Sequence, residues 1–155
     1  MPDLSAAFQA MQRRDYGAAH ALLGDPLTAP GTYAVPSEWW RIRALICNAA
    51  GEVADAASAF EAGLAVLDRE DGAASARLHA SYGGFLINQE RWWDAVEVFG
   101  HASHAARRSG DTLTRLSVAY NLAWAHLLTG EVNRAATAVE REVLAVGRRG
   151  SRSGR

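Results

Sequence analysis

Glu97, His101 and His104 lie four and three residues apart, a spacing that places three metal-ligand side chains on one face of a helix. With a fourth ligand from elsewhere, such a face can bind zinc. The segment around them reads as the second helix of a hairpin, whose outer face is expected to be polar, and no HExxH motif accompanies it. A metal-dependent enzyme using this Glu/His face is therefore the alternative reading, and no metal site is assigned. Other nucleophile and phosphate signatures are missing: there is no GxSxG, no GxxxxGK(S/T), no GxGxxG and no Cys–His pair at a known spacing. Cys47, the one cysteine, rules out an intrachain disulfide framework and reads as a buried, inert thiol within an apolar helical pattern. His126 falls in a buried column and reads as a core histidine, whereas His20 and His79 carry no pattern. The chain is expected not to be an enzyme and to need no cofactor.

Charge narrows the partners. All 17 acidic residues precede residue 148, and four of the 16 basic ones (Arg148, Arg149, Arg152, Arg155) follow residue 147. An acidic body with a short arginine tail is a poor nucleic-acid binder, and contact through the tail alone would be weak and salt-sensitive. Every basic residue is Arg. The N-terminal MPDLSAAF has neither a basic nor an apolar leader region, and no apolar run approaches 18 residues. The expected setting is the cytoplasm, without a membrane partner.

The elements that would position any site follow from a repeated ruler: a small residue, an Ala twelve positions on, then a bulky apolar residue four later. Ala6, Ala18 and Leu22 fit it, as do Ala44, Ala56 and Phe60, Gly83, Ala95 and Phe99, and Ala123, Ala135 and Val139. A further small residue three positions on occurs at Gly63 and Ala102 but not at Asp25 or Glu142, as expected if the first and last copies turn an outer face to water. The break between helices recurs at Arg14-Asp15, Gly51-Glu52, Glu90-Arg91 and Gly130-Glu131. Helices are expected over 3–12, 15–23, 37–50, 52–68, 72–88, 91–107, 112–128 and 131–146, pairing as hairpins 3–23, 37–68, 72–107 and 112–146. Asp111 is placed to cap the seventh. The Pro/Gly-rich stretch 24–36 is expected to be a long loop that loosens the first hairpin, and 148–155 a disordered tail beyond a domain of 1–147. Small residues let the two helices of a hairpin approach closely, and the bulky residue is expected to fill the gap against the next hairpin.

These columns resemble the tetratricopeptide repeat. The fourth copy is similar to it through Tyr120, Asn121, Leu122, Ala123, Gly130 and Ala135. The second is similar through Trp40, Ala44, Gly51, Ala56, Phe60 and Gly63, and the third through Gly83, Trp92, Ala95, Phe99 and Ala102. The copies recur every 38 to 40 residues rather than about 34, as in long-helix variants of bacterial regulators. HEAT-type repeats share this length. Arg43 stands where the family usually has Leu, and the closing Pro is missing. The resemblance implies an all-α, right-handed α-solenoid of about four antiparallel hairpins. It also implies a non-catalytic scaffold, adaptor or regulator sensor that holds a protein or peptide in a concave groove, with a homo-oligomer left open. Carried over by position, the groove would use Arg41, Leu45 and Asn48, then Arg77, Ser81, Gly84 and Asn88, then Tyr120, Asn121, Trp124 and Leu127. Asn121 matches the family's peptide-backbone binder, but its basic carboxylate clamp is not present.

The pairs Trp39-Trp40 and Trp92-Trp93 cannot both fill one narrow stripe, because adjacent helical residues point about 100° apart. Trp40 and Trp92 match core columns. Trp39 and Trp93 are expected between hairpins, or else as exposed anchors. If the ruler marks the core, Phe99→Ala costs about 3–5 kcal/mol and a large residue at Ala95 about 1–3 kcal/mol, both read from urea unfolding.

Overall fold

The computed structural model describes residues 3–68 and 71–150, the last two without their side chains. Among them are eight α-helices and no strand: α1 (Leu4–Gln12), α2 (Tyr16–Leu23), α3 (Pro36–Ala50), α4 (Val53–Ala65), α5 (Gly72–Asn88), α6 (Trp92–Ser109), α7 (Thr112–Leu128) and α8 (Val132–Gly150). The fold is all-α, with boundaries close to the periodicity. α8 continues through residues 148–150, which were expected to be disordered, while 151–155 lie outside the described residues. The chain forms two compact units, Met1–Asp68 and Arg69–Arg155. In the first, α1 pairs with α2 and α3 with α4, and α3 also receives both α1 and α2. The second repeats this scheme: α5 pairs with α6 and α7 with α8, and α7 also receives α5 and α6.

One turn, used four times, sets the hairpins. Arg14, Gly51, Glu90 and Gly130 all have φ between 59° and 82°. Their N–H groups donate to Met11, Asn48, Ile87 and Leu127. The next residues, Asp15, Glu52, Arg91 and Glu131, donate to Ala10, Cys47, Leu86 and His126 at 2.7–3.0 Å. This bond pair is the Schellman motif, which satisfies carbonyls that a helix end leaves open. The same four residues then accept from Ala19, Ala56, Ala95 and Ala135, starting the second helix. The ruler's second position is thus Ala19 in the first hairpin rather than Ala18. Ala7, Ala19 and Leu23 are fully buried, whereas Leu22 is exposed. The first copy sits one residue later than the sequence pattern placed it, because the turn and not the apolar pattern sets its register.

Buried Ala44, Ala56 and Phe60 satisfy the ruler in the second hairpin, and buried Ala95 and Phe99 in the third. A Cβ at Gly83 would lie 2.7 Å from the Phe99 ring, so the bulky residue fills the gap inside its own hairpin, not against the next one as expected. Val139, a shorter side chain in the same column, remains partly exposed.

The first unit's core joins both of its hairpins through Ala7, Ala10, Ala19, Leu23, Trp39, Ile42 and Ile46. Trp39 is fully buried, and its indole N–H donates to the Leu23 carbonyl at 3.0 Å, satisfying the end of α2 from α3. Trp40 packs edge-on against it at 4.8 Å, and the Arg43 guanidinium lies 5.9 Å from the Trp39 ring. Trp39 is therefore the core tryptophan between hairpins, and Trp40 lies at its margin. The 24–36 segment does not loosen the first hairpin. Ala29 and Pro30 are buried, a 3-10 turn spans Pro30–Thr32, and Tyr33 packs on the core.

Two substitutions test this geometry in opposite directions. Gly83→Ala drives a methyl into Phe99 and costs about 1–3 kcal/mol, with Phe99→Leu recovering part of the loss. Glu90→Gly relieves a left-handed L-residue and gains about 1 kcal/mol. Chemical denaturation of each variant reads both.

Candidate functional site

α7 is amphipathic toward α5, α6 and α8, yet it also carries apolar side chains on its open face. Leu113, Tyr120, Trp124 and Leu127 recur there at helical spacing; Tyr120 is 71% and Trp124 50% exposed. Asn121 is half-buried beside them. The helix starts where expected: the Asp111 carboxylate accepts from the N–H groups of Leu113 at 3.1 Å and Thr114 at 3.2 Å and from the Thr114 hydroxyl. The Thr114 hydrogen bond holds this carboxyl below its usual range.

On neighbouring α5, Arg77, Ser81, Gly84 and Asn88 share one face, with Arg77 and Asn88 exposed. A Cβ at Gly84 would meet nothing within 4 Å. Gly84 and Trp124 each follow the ruler's small residue, so two adjacent helices carry a bare backbone position and an exposed indole at one register level. The second unit therefore brings the α5 and α7 candidates onto neighbouring helices. Arg41, Leu45 and Asn48 belong to α3 of the first unit, are all half-buried, and Arg41 is committed to Glu38 at 2.6 Å.

Trp92 departs from expectation. It is exposed, at the first position of α6. Trp93 is 63% exposed rather than packed between hairpins.

Glu142, read as an outer-face residue, is instead 2% exposed. Its carboxylate accepts from Arg107 Nε at 2.9 Å and from Arg115 at 2.6 and 3.0 Å, tying α8 to α6 and α7. Burial alone would raise its pKa; the hydrogen bonds and charges of Arg107 and Arg115 win and hold it low. Gly63 and Ala102 fill the same column by being small, so this column faces inward in all three copies. Beside it lies a cleft of about 320 Å³ lined by Ser103, Arg107, His126, Asn133, Arg134 and Arg141 among others. His126 is buried, as expected, with Nδ1 2.8 Å from Glu131.

Glu97, His101 and His104 are all exposed. His101 instead lies 5.5 Å ring-to-ring from His79, whose pKa is lowered first by burial and further by His101. Among the described residues, the group of His, Cys, Asp or Glu side chains whose ligand atoms converge is His20, Cys47 and Glu52. Sequence reasoning missed it. Cys47 and Glu52 straddle the Gly51 turn in the same two columns as His126 and Glu131, a legible signal, but His20 arrives from another hairpin. Burial pushes the Cys47 thiol up to about 11, so alone it is no activated nucleophile.

No family model matches the chain, and no curated protein or solved structure matches it. Among the described residues no helix is long and apolar enough to cross a membrane.

Removing Glu142 leaves two guanidiniums facing a buried gap, so Glu142→Ala costs about 3–5 kcal/mol in thermal or urea unfolding. Its depressed pKa makes the contribution full above the ordinary carboxyl value of 4.5. The contribution is lost as pH falls through the lower folded value. Wild type therefore loses more stability on acidification than a Glu142→Gln variant does.

Proposed function

We propose that the chain is a non-catalytic binding module of tetratricopeptide type, a right-handed α-solenoid of four hairpins working in the cytoplasm. It would hold a protein or peptide partner, as an adaptor or as the sensor part of a bacterial regulator. The observation that carries the reading is the open face of α7, with Leu113, Tyr120, Trp124 and Leu127 turned outward. An apolar helical stripe normally faces a core. Left in solvent, it marks an interaction surface, and Trp and Tyr are the residues that most often dominate binding energy. Asn121 and Asn88 supply amides that can pair with a peptide backbone.

The repeated scheme also supports the reading. In each unit the first helix of the second hairpin receives both helices of the first hairpin, and the four helix-ending turns share one bonding pattern. That is how stacked hairpins bury faces that none could bury alone.

The test is affinity capture from host lysate with wild type, Trp124→Ala, and Arg77→Ala/Asn121→Ala, each matched for helicity. Surface truncations of this kind change stability little. Trp124→Ala should weaken a groove-bound partner by about 2 kcal/mol, roughly thirtyfold. A partner held equally by all three chains would place the binding surface elsewhere and overturn the assignment to α7.

A further inference from the structure

We propose that His20, Cys47 and Glu52 form a zinc-class metal site that bridges the two hairpins of the first unit. The three ligand atoms, one from each side chain, all lie within 4.8 Å of one another. A tetrahedral zinc with sulfur at about 2.3 Å and nitrogen or oxygen at about 2.0–2.2 Å sets its ligands roughly 3.3–3.7 Å apart. Contraction by about an ångström would close the site, within reach of side-chain rotation. His20 Nε2 already stands 3.4 Å from Glu52 Oε2, with the Cys47 sulfur no more than 4.8 Å from the ligand atom of each.

The backbone prepares two of the ligands. Cys47 and Glu52 are the residues joined by the long bond of the Gly51 turn, Glu52 N–H to Cys47 carbonyl at 2.8 Å, so their separation is fixed by the hairpin itself. His20 comes from α2, whose C-terminal end is held by the Trp39 indole. A thiolate, an imidazole and a carboxylate suit zinc and exclude a preference for magnesium or calcium. Binding displaces the thiol proton to solvent, and the two anionic ligands then balance the ion's charge. Cys47 is fully buried, while the His20 and Glu52 side chains are partly exposed, which leaves the fourth coordination position toward solvent.

The second unit provides an internal contrast. His126 and Glu131 occupy the columns of Cys47 and Glu52 and pair at 2.8 Å. The position equivalent to His20 is Val96, one residue after Ala95 as His20 is one after Ala19, and it offers no ligand atom.

The experiment titrates reduced, metal-free protein with Co²⁺ and follows its absorption, then displaces the cobalt with Zn²⁺. One equivalent should give the intense visible bands of four-coordinate cobalt with a thiolate charge-transfer band, and Zn²⁺ should raise the melting temperature. His20→Gln, at a partly exposed site that leaves the core intact, should weaken binding by at least about tenfold. Cys47→Ser should remove the charge-transfer band, and His101→Ala/His104→Ala should behave as wild type. Absence of stoichiometric binding, a spectrum without the thiolate band, or wild-type affinity in His20→Gln would overturn the proposal and leave a His20–Glu52 contact beside a buried thiol.

Discussion

Each hairpin depends on a helix that ends in one left-handed residue flanked by two backbone hydrogen bonds. That turn reverses the chain in a single step and brings the second helix back at a fixed register against the first. Where the residue is glycine, as at Gly51 and Gly130, the conformation costs little; Arg14 and Glu90 adopt it against the preference of an L-residue. They persist there because the same two hydrogen bonds and the same buried Ala column follow each turn.

A fixed turn makes the flanking columns interchangeable in chemistry while their positions stay constant. The two residues joined by the long turn bond are Ala10 and Asp15, Cys47 and Glu52, Leu86 and Arg91, and His126 and Glu131. Two of these pairs place a carboxylate against a polar side chain on the preceding helix. The Gly63, Ala102 and Glu142 column shows the same principle with higher stakes. Two copies solve inward crowding with a small residue, and the third buries a carboxylate matched by Arg107 and Arg115. Arg115, itself buried, balances the carboxylate's charge, and the partly exposed Arg107 adds a further charged hydrogen bond.

The side chains not consumed by packing are the ones available for binding. α7 spends Val118, Ala119, Ala123 and Ala125 inward and turns Tyr120 and Trp124 outward. Trp93 is similarly exposed on α6, whereas Trp39, of the same residue type, is locked beneath a backbone carbonyl. Leu23 ends α2 within reach of the Trp39 indole, whereas Trp93 stands in the first turn of α6 on its open side.

Helix identity, hairpin pairing and turn positions were legible in the sequence, because they depend on residues within about one hairpin of each other, through 3.6-residue periodicity, small residues and turn chemistry. The Asp111 cap, the Ala95–Phe99 core and the buried His126 belong to that class. The first copy's register was not legible, since Ala18 and Ala19 are the same residue and only the turn bonds distinguish them. Glu142 looked like a surface residue because its two partners lie 27 and 35 positions away. The His20, Cys47 and Glu52 group and the burial of Trp39 over Trp40 likewise required packing between hairpins. Local spacing records which face of a helix is apolar. Which neighbour that face meets, and at what level, is decided only when the hairpins pack.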